Sequence, residues 1–123
     1  MKKIEKLKNG GVLYKSHRTE PYFTFIKNGI KTIEGRIKKG LYQELKIGDE
    51  IIIFNNKESD SVHIKVKNVR NYISFENLLI NEGIKKVLPD IDSIEEGINI
   101  YKKFYTEEQE TEFRIIAIEI ELI

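Results

Sequence analysis

Cysteine is absent from this chain of 123 residues. Without thiols there can be no disulfide framework, no thiolate zinc site and no cysteine nucleophile. The absence also fits a reducing compartment, so we expect a cytoplasmic protein. Long apolar runs are missing too, since no segment approaches the roughly 20 residues needed to span a membrane. We therefore expect no membrane partner.

Other absences narrow the range of functions further. The basic N-terminal segment has no apolar stretch and no small-residue cleavage site, so we do not expect a secretory signal. The only two histidines, His17 and His63, do not stand at a spacing typical of a metal site. We expect neither a metal nor a cofactor.

The residues that are present describe one globular domain. Hydrophobic residues make up 40% of the chain and charged residues 33%, which is far from a disordered composition. The length suits one domain and is too short for two ordinary ones. We divide the chain into a polar, lysine-rich segment at 1–10, expected to be a frayed helix or tail, and a single domain at 11–123.

Charge is distributed unevenly along the chain. Residues 1–40 contain 11 Lys or Arg and 3 Asp or Glu, whereas residues 41–123 contain 10 and 17. A basic N-terminal third is able to gather phosphates, because Lys and Arg that neutralise phosphates release counterions. The alternative is that the two parts interleave in the fold and their charges cancel.

Local patterns predict a mixture of strands and helices. Strands are expected at residues 12–17, 31–37, 50–54, 62–69 and 113–123, with a bulge near Asn68. Helices are expected from Thr19, as the N-cap, to Asn28, over 75–81, and from Ser93 to about Phe104. The acidic stretch 107–112 has the composition of a loop. Five to six strands with two to three helices, in no regular βαβ order, indicate an α+β protein with a curled sheet or small mixed barrel.

The run from Gly29 to Arg36 is the most informative segment. It has the form G-x-K-x-x-E-x-R and places Lys31, Glu34 and Arg36 between a helix stop and an apolar strand. Together with the turn Ile47-Gly48-Asp49, this run resembles the signature of the ASCH domain, a small relative of the PUA fold. Further similar elements are the segment from Tyr101 to Glu108 and the final strand. The resemblance covers roughly residues 12–122.

The resemblance implies a PUA-like β-barrel with helices at its openings and a cleft that carries the motif residues. The family is regarded as RNA-related, so RNA, a nucleotide or a modified nucleoside is the implied partner. A subset of small bacterial members hydrolyses the amide of N4-acetylcytidine, and some relatives are described as nucleases. That hydrolase subset places a threonine three residues after the motif lysine. In this chain the position is Glu34, and Thr32 lies only one residue after Lys31.

The three charged motif residues are the main candidates for a site. Lys31 is suited to holding a phosphate or a base oxygen, or to acting as a base if desolvated. Glu34 and Arg36 share a strand face, so Arg36 can orient Glu34 for a base amino group or a proton. The alternatives are a surface lysine and a structural ion pair. Strict alternation puts Lys31 on the opposite face unless it precedes the pleated part of the strand.

Aromatic residues and a basic pair complete the candidate set. Tyr22, Phe23 and Tyr105 are candidates for stacking a base, although core packing is the commoner fate of aromatics at helical spacing. His17 and Arg18 precede the first helix and are expected to border the same cleft.

Two functions remain open from the sequence. The first is an RNA- or nucleotide-binding domain that uses Lys31, Glu34 and Arg36. The second is a hydrolase of N4-acetylcytidine or a related nucleoside, or a weak ribonuclease, with Lys31 and Glu34 as catalytic residues. Thr32 cannot simply replace the missing threonine, because its side chain should point away from the face of Glu34.

Overall fold

Six strands form one mixed sheet. The computed structural model describes residues 1–123, and the strand order is β1-β2-β4-β5-β6-β3. Strands β2 and β4 are parallel, and every other neighbouring pair is antiparallel. The strands are β1 (Lys2–Lys6), β2 (Val12–Arg18), β3 (Ile33–Ile37), β4 (Glu50–Asn55), β5 (Ser61–Tyr72) and β6 (Ile115–Leu122).

Five α-helices and one 3₁₀ turn connect the strands. They are α1 (Tyr22–Lys27), the 3₁₀ turn Gly40–Gln43, α2 (Phe75–Glu82), α3 (Ile84–Val87), α4 (Ile94–Lys102) and α5 (Glu107–Phe113). The α+β class is therefore confirmed, with more helices than the two or three expected. None of these helices is both long and apolar enough to cross a lipid bilayer.

The expected barrel does not close. Strands β1 and β3 are the two ends of the sheet and do not pair with each other. Strand β5 is long enough to pair with β4 through its first half and with β6 through its second half, with a register shift between Val66 and Asn68. The bulge expected near Asn68 is thus confirmed. A bulge increases local twist, so this one helps the sheet to curl.

Three other sequence predictions differ from the structure. Lys2–Lys6, expected as a frayed helix or tail, forms an edge strand on β2. The acidic stretch expected to be a loop is helix α5, because Thr106 and Gln109 form a complete capping box. The first helix starts after Pro21 with no side-chain cap, so Thr19 is not its N-cap.

Strand β6 separates two hydrophobic cores. Ile116, Ile118 and Ile120 face a first core that contains Tyr14 and residues of β4, β5 and α1. Ile115 and Ala117, on the other face of β6, belong to a second core formed with β3 and helices α2–α4. Because the side chains of a strand alternate between faces, a strand buried on both sides must be apolar at successive positions. The run Ile115–Ile118 meets that requirement.

Candidate functional site

A cavity of about 570 Å³ lies between the curled sheet and the helices. The end of β2, the start of α1 and the motif strand β3 form one side. The end of α4 and the residues that follow it form another side. All seven residues predicted to bind a ligand line this cavity: His17, Arg18, Tyr22, Lys31, Glu34, Arg36 and Tyr105. Their roles as ligand contacts stay predictions.

Lys31 lies just before β3 rather than within it. The strand begins at Ile33, so the expected strand start at Lys31 is wrong by two residues. This placement frees Lys31 from strict alternation and lets it join Glu34, with 3.9 Å between Nζ and Oε2. The Lys31 ammonium is buried and donates hydrogen bonds to the carbonyl oxygens of Ile33, at 2.7 Å, and Val87.

Glu34 is the centre of the charged group. Its Oε1 accepts a hydrogen bond from Arg18 Nε at 2.6 Å, and its Oε2 lies 3.4 Å from an Arg36 Nη atom. Burial alone would raise the pKa of Glu34, but the positive charges of Arg18, Arg36 and Lys31 outweigh it and lower the pKa to about 2. Glu34 is therefore ionised at neutral pH and acts only as a hydrogen-bond acceptor.

The Arg18–Glu34 pair bridges two strands that are not neighbours. Arg18 ends β2, the second strand of the sheet, whereas Glu34 lies in β3, the last. The sheet curls far enough for their side chains to meet, although the strands do not pair. An ion pair thus spans the open side of the sheet and forms part of the cavity wall.

The pKa values of the two remaining motif cations, Lys31 and Arg36, shift in opposite directions. Burial lowers the pKa of Lys31 to about 8, and the nearby Glu34 carboxylate offsets only part of this effect. Burial also acts to lower the pKa of Arg36, but Glu34 outweighs it and the pKa is raised. Arg36 also donates to the Tyr42 hydroxyl at 3.3 Å and to the Gly35 carbonyl oxygen at 2.9 Å. Arg36 therefore stays protonated, whereas Lys31 can lose its proton near its pKa of about 8.

Aromatic side chains cover the wall of the cavity formed by the helices. Phe75 stacks between Tyr101 and Tyr105, with ring centroids 3.9 Å and 5.3 Å apart. Tyr22 also lines the cavity, and Lys31 Nζ is 5.7 Å from the centroid of its ring. Phe23, the third aromatic predicted to stack a base, is buried in the first core, and that prediction is wrong.

Several cavity residues were not predicted from the sequence. Tyr101 begins the segment that carried the resemblance but was not among the predicted ligand contacts, and it lines the cavity. Burial raises the pKa of Tyr101, so its hydroxyl stays protonated and can donate. Tyr42 lies in the 3₁₀ turn, where no periodic pattern marks it. Phe104 is 71% exposed at the cavity and belongs to the aromatic segment that carried the resemblance.

Comparison with known proteins agrees with this architecture. The family model described as the ASCH domain matches residues 17–123. The crystal structure of a hypothetical protein, PH0355, superimposes with a TM-score of 0.82 at 41% identity, over 90% of this chain and 99% of that one. The solution structure of PF0455 from Pyrococcus furiosus gives a TM-score of 0.74 at 36% identity, over 90% and 97% of the two chains.

A more distant structure shares the fold alone. The S128A mutant of ZmASCH from Zymomonas mobilis is 13% identical, with a TM-score of 0.53 over 87% of this chain and 66% of that one. No curated protein matches the sequence.

Proposed function

The chain belongs to the ASCH domain family, and from that premise we propose that it binds RNA or a nucleotide in the cavity between its sheet and helices. One observation carries the proposal. Three buried or half-buried cations, Arg18, Lys31 and Arg36, share this cavity with a single carboxylate, Glu34. The cavity therefore keeps an excess of positive charge that favours an anionic ligand.

The side chains suit the separate parts of a nucleotide. The arginines and Lys31 are donors for phosphate or carbonyl oxygens, and ionised Glu34 is an acceptor for an exocyclic amino group. The rings of Tyr22 and Tyr105 offer faces on which a base can stack. The cavity volume of about 570 Å³ lies within the range typical of small-molecule sites.

Binding is tested with Lys31→Met, which removes the charge and keeps a long apolar stem. A hydrogen bond to a charged group contributes about 1.5–3 kcal/mol, so we expect the affinity for nucleoside monophosphates or short RNA to fall at least about tenfold. Isothermal titration calorimetry measures the affinity, and thermal shift confirms that the variant folds. Lys65→Met, at an exposed lysine outside the cavity, is the matched control.

The affinity measured in this experiment should depend on pH. The pKa of Lys31 is about 8, so the ammonium loses its proton as the pH rises above 8, and the affinity for an anion falls. The wild type should weaken by up to about tenfold per pH unit there, and Lys31→Met should not. Equal affinities of wild type and Lys31→Met at every pH would show that Lys31 does not bind the ligand.

A hydrolase acting on N4-acetylcytidine is the second candidate, and the lowered pKa of Lys31 favours it. With a pKa of about 8, Lys31 is poised to act as a general base toward water. Glu34 is a weak base at neutral pH because its pKa is about 2. Thr32 lines a separate depression and not this cavity, so the motif supplies no hydroxyl nucleophile here.

Chromatography of N4-acetylcytidine after incubation with the protein tests the hydrolase. Cytidine formed by the wild type and not by Lys31→Met would support it, and equal traces in both would remove it. A gel of labelled RNA after a parallel incubation with the protein tests the weak ribonuclease alternative.

A further inference from the structure

We propose that a basic groove extends the cavity and holds the backbone of a single-stranded RNA whose terminal or flipped nucleotide occupies the cavity. This inference rests on the proposed function. The groove is defined by Lys38, Lys46, Asn71 and Arg114. It consists of two adjoining depressions of about 440 and 550 Å³ on the surface beside the cavity.

The groove adjoins the cavity, because neighbouring depressions share lining residues. Tyr42 lines both the cavity and the first depression. Lys38 and Asn71 line both the first depression and the second. In this proposal, a strand that leaves the cavity crosses Tyr42 and then meets the groove.

The cations of the groove are free of acidic partners. Lys38, Lys46 and Arg114 take part in no ion pair, whereas nine of the other eighteen Lys and Arg residues do. No carboxylate lines either depression. Cations without carboxylate partners keep their attraction for phosphates, so the groove is suited to a polyanion.

Three separate elements bring these cations together. Lys38 follows β3 and donates to Asn71 Oδ1 on β5 at 3.2 Å. Lys46 lies between the 3₁₀ turn and β4, and Arg114 joins α5 to β6. Arg114 has φ 65° and ψ 178°, a backbone region that is almost exclusive to glycine. An arginine nevertheless occupies this position, and it lines the second depression.

A nucleic acid fits this groove better than a free nucleotide does. A mononucleotide carries its phosphate next to its own base, so it needs no cations beyond those of the cavity. A strand carries one phosphate per nucleotide, so its extra phosphates meet the extra cations. Each phosphate that a protein neutralises on a single strand adds about 0.7 to the slope of log affinity against log salt concentration.

The triple variant Lys38→Ala, Lys46→Ala, Arg114→Ala tests the groove against a variant of equal charge. The control replaces Lys8, Lys65 and Lys86 by alanine, since none of these lines the cavity or the groove and none is in an ion pair. The probes are the four ribonucleoside monophosphates and homopolymeric RNAs of about ten nucleotides. Affinities are measured by calorimetry and fluorescence anisotropy over a range of salt concentrations.

We expect the groove variant to bind RNA at least tenfold more weakly, to lose about 2 from the salt slope, and to bind monophosphates like the wild type. The control should match the wild type on both probes. If the groove variant and the control bind RNA equally, or if the wild type binds RNA no better than a monophosphate, the groove has no role. Binding of polyglutamate as tight as that of RNA would also overturn the inference. A wild type that binds neither probe would refute the proposed function itself.

Discussion

Gly35 is the residue at which strand β3 packs closely against Tyr101 of α4. A Cβ atom at this position would lie 2.7 Å from the Tyr101 hydroxyl and 3.2 Å from the ring carbon that carries it. Tyr101 cannot easily move away, because its ring stacks on Phe75 within the second core. The glycine of the motif therefore makes room for a tyrosine, and Tyr101 in turn lines the cavity.

Gly35→Ala should destabilise the protein by about 1–3 kcal/mol, the usual cost of overpacking a filled core. Urea unfolding measures the change in the free energy of unfolding. Tyr101→Phe removes the closer of the two contacts, so the double variant should lose less stability than the two single changes predict together. Strict additivity of the two changes would show that Gly35 is not reserved for Tyr101.

Sequence reasoning found the charged residues of the cavity but not how they are joined. Lys31, Glu34 and Arg36 stand out because they cluster in one short run. The contact of Arg18 with Glu34 depends on how far the sheet curls, which no local pattern encodes. Tyr42 was missed for a similar reason, since an irregular turn has no periodicity by which its half-buried side chain can be recognised.

At the scale of elements, the acidic composition of helix α5 masked the capping box that starts it. The segment is so acidic that it resembles a solvated loop, and only Phe113 supplies an apolar anchor within the helix. Its start is nevertheless well specified. Gln109 N donates to Thr106 Oγ1 at 3.1 Å, and Thr106 N donates to Gln109 Oε1 at 2.9 Å. The helix lies against the edge strand β3 and helps to cover it.

Thr106→Ala should cost about 1 kcal/mol of stability, because it leaves N-terminal amide groups of α5 without their acceptor. Thr111→Ala is the matched control within the same helix. Thr111 is exposed and not a cap, and alanine is the better helix former, so stability should hold or rise slightly. Chemical denaturation followed by circular dichroism compares the two. Equal stabilities of the two variants would mean that the capping box does not hold α5 in place.

At the scale of the whole molecule, the two cores depend on one strand. Ile115 and Ile118 are both fully buried, yet they lie in different cores on opposite faces of β6. Neither core can be disrupted without loosening the strand that also serves the other. The cavity lies beside this shared strand, since β3 pairs with β6 along its whole length.

Ile115→Ala and Ile118→Ala should each cost about 2–5 kcal/mol, as is typical when a buried isoleucine is truncated. Both cores should still unfold in one transition. Tyr14 in the first core and Tyr101 in the second are suitable probes in a denaturant series followed by NMR. Ile123→Ala, at an exposed residue, should change little. Separate midpoints for the two tyrosines in either variant would contradict the coupling of the cores.

The sequence predicts the structural class of the protein, but it does not predict the topology of the sheet. Strands β2 to β6 and helices α1, α2 and α4 follow from local patterns, whereas strand β1 was not predicted, and the resemblance to the ASCH domain supplied the family. The order of strands in the sheet and its open edge did not follow. Strand β2 pairs in parallel with β4, and β3 lies at the edge of the sheet. Both features arise from contacts between distant segments. Local propensity carries no information about such contacts.

Because two arginines share one carboxylate, the cavity should tolerate replacement of either arginine better than replacement of Glu34. If Arg18 is replaced, Glu34 keeps Arg36, and if Arg36 is replaced, Glu34 keeps Arg18. Loss of Glu34 instead leaves buried positive charges facing one another with no counterion, which is far more costly. Among close relatives, we therefore expect single substitutions of Arg18 or of Arg36 to be more frequent than substitutions of Glu34.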